Sequence, residues 1–147
     1  MPRWADAYGP LDRLSPATSA AVRVLELAGG LGPHIAPGRT ARLLAAYRDF
    51  TRRPGGVLLV VPSAMPSCPG CAYDDVTVVR DGLQAVHRAL PDRPRAEFGR
   101  LLARLDAVFR RRTLPEPAVG LPVGAWTEPD GTPAPWWRRR QYADAPA

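Results

Sequence analysis

Apolar residues recur at helical spacing in four separate stretches of the chain. The first opens at Ser15-Pro16, a capping side chain followed by proline at the first helical position. It carries Ala17, Ala21, Val24, Leu25 and Ala28 before Gly29-Gly30 stops it. The second follows Gly38 and runs to about Arg52, with Leu43, Leu44, Tyr47 and Phe50 on one face and Pro54-Gly55-Gly56 as its end. In the third, Val76, Val79, Leu83, Val86 and Leu90 repeat at spacings of three and four, which predicts a helix opening near Asp74-Asp75, where acids suit the N-terminal dipole. Val76-Thr77-Val78-Val79 carries a competing strand propensity. The fourth helix is predicted over about 94–112. Phe98, Leu101, Leu102, Leu105, Val108 and Phe109 fall there within an arc of about 120°.

The breaks between these stretches set the architecture. The short Pro91–Pro94 link predicts that the third and fourth helices form an antiparallel αα-hairpin. The first two helices are about nine or ten residues apart, whereas a DNA-binding helix-turn-helix needs a turn of roughly three or four. Val57–Val61, β-branched and apolar between turn signals, reads as a short buried strand. The expected fold is therefore mainly α, a small bundle of about four helices with at most one short β element. Residues 1–14 form a lead, 15–112 a single helical domain, and 113–147 an extended tail rich in Pro, Trp and Arg.

Length and composition narrow the class. At 147 residues, 46% hydrophobic, the chain is long enough for one cored domain and too apolar to be wholly disordered. Its longest apolar run, Val57–Val61, falls far short of the roughly 20 residues that span a bilayer. The N-terminal Met1–Asp6 stretch lacks the apolar segment of a secretory signal, so a cytoplasmic location with no membrane partner is expected. The formal net charge is +6, and every basic residue is arginine, a pattern that resembles the codon bias of a GC-rich genome. The positive balance still favours polyanionic partners.

That charge is not evenly spread. Residues 93–112 hold seven arginines against Glu97 and Asp106. Arg100, Arg104 and Arg111 lie within about 40° of one another on a helical wheel, and Arg93, just before the expected helix, extends the line if the first turn begins there. A solvated helix face is the plainer meaning of such a stripe, and contact with nucleic acid or an acidic partner protein the sharper one. Trp136-Trp137-Arg138-Arg139-Arg140 places aromatic rings beside guanidinium groups, which suits stacking on bases, docking into a partner, or locking the tail onto the protein's own core. Self-docking leads these uses, because four tryptophans are many for a small domain to leave in water. The area balance favours Trp126 docked, with Trp136 and Trp137 waiting for a partner.

Cys68-Pro69-Gly70-Cys71 offers a second chemistry. Cys68 and Cys71 supply two thiolates where zinc normally takes four ligands, so zinc would have to bridge two chains. With 76–79 helical, His87 is about 18 Å along the third helix and out of reach of the pair. With 76–79 a strand, that objection relaxes and the pair sits in a hairpin loop like a zinc knuckle. The order strand, loop, CPGC, helix over about 57–90 resembles thioredoxin-like and glutaredoxin-like proteins, a resemblance that makes Cys68 the nucleophile. Two inert, half-buried loop thiols are the plainer alternative. No nucleophilic triad, phosphate loop or dinucleotide fingerprint is present. The expected function is a non-enzymatic binding or adaptor protein. It would act through Arg93, Arg100, Arg104, Arg111, Arg138, Arg139 and Arg140, with nucleic acid the first candidate partner. A CxxC protein and an interaction subunit without a nucleic-acid role are the alternatives.

Overall fold

The computed structural model describes residues 9–63, 65, 70–115, 128 and 130–143. It is mainly helical, with four α-helices and no multi-residue strand among the described residues. Helix α1 spans Pro16–Ala28, α2 Arg39–Thr51, α3 Val76–Ala89 and α4 Asp92–Arg112. Two 3-10 turns, Cys71–Asp74 and Trp136–Arg138, complete the set.

Each helix start has a physical cause. Ser15 Oγ accepts from the Thr18 amide at 3.2 Å, with Pro16 entering the first turn. Helix α2 starts after Gly38, whose φ of 75° is left-handed and whose lack of a side chain leaves the first amides uncapped. Glu26 of α1 supplies the missing acceptor. Its buried carboxylate accepts from Gly38 N at 3.4 Å and Thr40 N at 3.0 Å. Asp75 opens α3 by accepting from the Thr77 amide at 2.8 Å and the Thr77 hydroxyl at 2.7 Å. That cap, with Val76, Val79, Leu83, Val86 and Leu90 all buried, resolves the strand propensity of 76–79 in favour of helix.

Helix α4 packs against each of the other three, and α2 lies most extensively along α3. Arg80 meets Asp106 while His87 stacks on Phe98, so α3 and α4 run antiparallel across the Leu90-Pro91 link. The stripe anticipated on α4 faces the core: Phe98, Leu101, Leu102, Leu105 and Phe109 are buried, and Val108 is half-buried.

The expected strand at 57–61 does not form. Only Val60 makes a bridge, parallel to Tyr142. Leu58 and Val60 turn inward, and their amides donate to Arg112 O at 2.7 Å and Gln141 O at 3.1 Å. Val57, Leu59 and Val61 point to solvent. The alternation is that of a strand, but one flanking partner is a helix end, which supplies a single carbonyl rather than a ladder.

Beyond α4 the described residues include an exposed turn closed by Gly131 N on Glu128 O at 2.9 Å and the 3-10 turn at Trp136–Arg138, and Trp136, Trp137 and Tyr142 lie against the helices. Trp137, 7% exposed, is part of the core. Its Nε1 donates to Asp81 Oδ1 at 2.7 Å, and the Arg80 guanidinium lies 4.2 Å from its ring centre. Trp136 packs on Phe109 at 5.9 Å. The anticipated division of labour in the tail thus changes: the Trp136-Trp137 pair is docked on the chain's own helices, and Trp126 lies outside the described residues. The reason is polar as well as apolar, because Asp81 gives the indole N–H a partner that the ring area alone did not reveal.

Candidate polyanion-binding face

The arginines divide into two groups. The first is committed internally. Arg48 makes a two-pronged contact with Asp12, at 2.8 and 2.6 Å. Arg80, buried against α4, holds both oxygens of Asp106 at 2.9 and 3.0 Å, while Asp106 also accepts the Tyr47 hydroxyl at 2.6 Å. Burial first, then the neighbouring Asp106 charge, pushes the Tyr47 phenol far above its ordinary range, so it acts only as a neutral donor. Arg112 donates to the carbonyls of Thr51, Arg53, Gly55 and Gly56, closing the C-terminus of α2 and the glycine turn behind it.

Two arginines of the WWRRR string belong to this internal group. Arg138 pairs with Asp81. Its pKa lies above the usual value because the Asp81 hydrogen bond and charge outweigh burial, which is the larger single influence and acts the other way. Arg140 is 9% exposed and closes the end of α4 through Thr113 Oγ1 at 2.9 Å, Thr113 O at 2.8 Å and Arg110 O at 3.1 Å. Burial, and then Arg110, lower its pKa. Its donors point into the protein, toward the negative end of the helix dipole.

The second group is free. Arg93, Arg100, Arg104 and Arg111 are exposed, and none has a hydrogen-bond or ion-pair partner among the described residues. Their Cα positions span about 27 Å along α4, at about 1.5 Å per residue. Glu97 shares this shoulder of the helix, but its carboxylate is engaged by the Ser15 amide and the Thr18 hydroxyl. Burial works against its ionisation. The Ser15 and Thr18 donors and the nearby Arg100 charge prevail, and its pKa lies below the ordinary carboxylate range. Glu97 therefore ties α1 to α4 and stays ionised, leaving the stripe net positive. Arg139 is exposed, and Arg110 lies exposed over the Trp136 ring at 4.0 Å, so positive charge continues around the C-terminal end of α4.

No protein-family model, curated protein or solved structure matches this chain. The face therefore has to be read from its own chemistry.

The cysteine chemistry is placed only in part. Cys68 lies outside the described residues, while Cys71 is half-buried at the start of the first 3-10 turn. Helix α3 begins only at Val76, with Asp75 over its first amides. His87 stacks on Phe98, and His34 contacts the Tyr73 hydroxyl at 3.2 Å. Among the described residues no three His, Cys, Asp or Glu side chains are arranged to hold a metal, and no helix is long and apolar enough to cross a membrane.

Sequence reasoning missed Glu26, Asp81 and Arg112 as structural residues, and also the cluster of Arg39, Tyr73 and His34. Glu26 leaves one trace, the sole acid of its helix, followed by an uncapped Gly-Arg-Thr start. Asp81 and Arg112 leave none, because their partners are remote in sequence.

Proposed function

We propose that this chain is a non-enzymatic binding protein of the cytoplasm that holds a polyanion, nucleic acid in the first place, on the exposed shoulder of α4. Arg93, Arg100, Arg104 and Arg111 make the contacts, and Arg139 extends them at the C-terminal end. One observation carries the reading. The fold pairs or buries Arg48, Arg80, Arg112, Arg138 and Arg140, yet leaves these four guanidinium groups in one line without an ion pair among the described residues. Duplex DNA carries one charge per about 1.7 Å of axis, so a line of about 27 Å meets several phosphates at once. The contacts fall on phosphates rather than base edges, which gives affinity and orientation without sequence choice. Arg138, Arg140 and Trp137 are left out because their polar groups and rings already hold the tail in place.

The test is fluorescence anisotropy of a labelled 20-base-pair duplex over a salt series. Binding is expected near about 50 mM salt, with log affinity falling linearly against log salt at a slope of about −3 to −4 for the four contacts. The R100Q/R104Q/R111Q variant should lose about 3 from that slope and keep its helix content. Absence of binding near about 50 mM, or a triple variant with the original slope, overturns the nucleic-acid reading. Retention of an acidic peptide, but not of the duplex, by the intact face would assign the stripe to a protein partner instead.

A further inference from the structure

A second basic site lies away from α4, where the start of α2 faces the 3-10 turn at Cys71–Asp74. Arg39, Arg42, Leu43 and Ala46 follow one another at i, i+3, i+4 and i+7, one stripe of α2. With Gly70 and Tyr73 opposite, they line a cleft of about 250 Å³. The two ends of this cleft differ in chemistry. Arg39 and Arg42 bring two positive charges one turn apart, about 4.5 Å along the axis. No acidic residue lines it among the described residues. The Tyr73 ring, Leu43 and Ala46 provide an apolar wall and floor.

Arg39 is held in position before any ligand arrives. Its Nη1 donates to Pro33 O at 3.1 Å and to the Tyr73 hydroxyl oxygen at 2.8 Å, and its guanidinium carbon lies 5.1 Å from the Tyr73 ring centre. Having accepted from Arg39, Tyr73 can donate its own proton to His34 Nδ1 at 3.2 Å. A neutral imidazole is needed for that. Burial, the largest influence, together with Arg39 and Arg138, holds His34 below its usual 6.5 against the opposing pull of Asp81. The phenol and one guanidinium are thus locked, and Nη2 and Nε of Arg39 remain available. Arg42 is exposed, without a partner among the described residues. The amides of this helix start contribute nothing, because Glu26 already occupies them.

We infer that this cleft binds a small phosphate monoester that carries one aromatic ring. The phosphate bridges Arg39 and Arg42, and the ring lies against Tyr73, Leu43 and Ala46. Two guanidinium groups, with no carboxylate among the described residues that line the cleft, match a dianion, and fixing one of them in advance reduces the entropy lost on binding. At about 250 Å³ the cleft is small against the roughly 300–1,000 Å³ of common ligand pockets, so it takes a phosphate with no more than one ring. The site uses none of the α4 arginines, so it stands or falls separately from the polyanion face.

Calorimetric titration of the full chain with phenyl phosphate at about 150 mM salt tests it, a salt level that suppresses diffuse charge attraction. One-site, saturable binding is expected, and R42Q, a surface change that leaves the fold intact, should weaken it at least about tenfold. R39Q should do the same, with far-UV circular dichroism confirming that the helices persist. The R100Q/R104Q/R111Q variant should bind as the parent does. Inorganic phosphate should bind more weakly than phenyl phosphate. The inference is overturned by no saturation up to about 10 mM, a range that reaches well beyond weak millimolar affinity. It is equally overturned by unchanged affinity in R42Q, by loss in the α4 variant, or by equal affinity for inorganic phosphate.

Discussion

Replacing Trp137 by alanine removes the largest side chain that the tail contributes to the core. The residue is 7% exposed. A buried tryptophan withdraws roughly 200 Å² from water, which at about 25 cal/mol per Å² amounts to about 5 kcal/mol. Compactness of the unfolded chain reduces this by about 10–40%. Loss of the Arg80 contact over the ring restores about 1 kcal/mol of that reduction. The indole N–H adds little, since Asp81 keeps Arg138 as a partner and its side chain is still 26% accessible to water. The expected cost of Trp137→Ala is about 4 kcal/mol, a large part of the roughly 5–15 kcal/mol by which such domains are stable. Trp137→Phe, which keeps a ring over Arg80, should lose about half as much. Urea unfolding followed by far-UV circular dichroism measures both, free of the change in tryptophan fluorescence. A loss below about 1 kcal/mol with unchanged m-value would refute the docking of the tail through this ring. Truncation after Pro135 removes Trp137, Arg140 and Tyr142 together. It should therefore destabilise at least as much as Trp137→Ala.

Gly82 of α3 should resist improvement: a Cβ there would lie 2.8 Å from Leu43 Cδ1 and 3.1 Å from His34 Nδ1, and Leu43 is buried. Gly82→Ala is expected to lower stability by about 1–2 kcal/mol in thermal or urea unfolding despite the helix-propensity gain of about 1 kcal/mol, and a net stabilisation would show that α2 and α3 do not approach so closely. His87 has its pKa held below 6.5 by burial, then by Arg80, Arg95 and Arg88. As pH falls through about 6.5 the unfolded imidazole takes its proton first, so stability is full above that value and declines until the folded pKa is reached. In His87→Gln that acid-side decline should shrink, and an unchanged pH profile from about pH 7 to pH 5 would exclude the histidine as its source.

The four helices were legible because periodicity and capping are local signals. Ser15-Pro16, Gly29-Gly30 and the Phe98–Phe109 stripe each act within a few residues of themselves. What was not legible depends on partners far along the chain. Arg112 and Gly55 are 57 residues apart, Trp137 and Asp81 56, and Arg140 and Thr113 27. Composition marked all of these arginines as one basic class. Only packing separates those that satisfy carbonyl groups from those that face water. Val57–Val61 shows the converse: its alternation foretold which side chains turn inward, but a strand also requires a neighbouring ladder, and a helix end provides only one rung. The α4 stripe could be drawn on a wheel, whereas the engagement of Glu97 by Ser15 and Thr18, which leaves the stripe without an ion pair among the described residues, needed the fold.

The way the tail closes the bundle also sets a timetable for the growing chain. Trp137 joins the core against α3, Arg140 ties off the last carbonyl groups of α4, and Tyr142 donates to the Asp75 that starts α3 at 2.9 Å. All three are translated after the helices they complete. The interval from Arg112 to Trp137, at about 5–20 residues per second, amounts to roughly 1–5 s. Helices form and collapse in far less time than that. The ribosomal exit tunnel encloses the most recently added stretch of a chain, so α4 is still leaving it when Trp137 is joined, and the helix and the tail that closes it emerge together. Tunnel release rather than the speed of helix formation sets the order, and the docking of Trp137, Arg140 and Tyr142 is the step that completes the bundle.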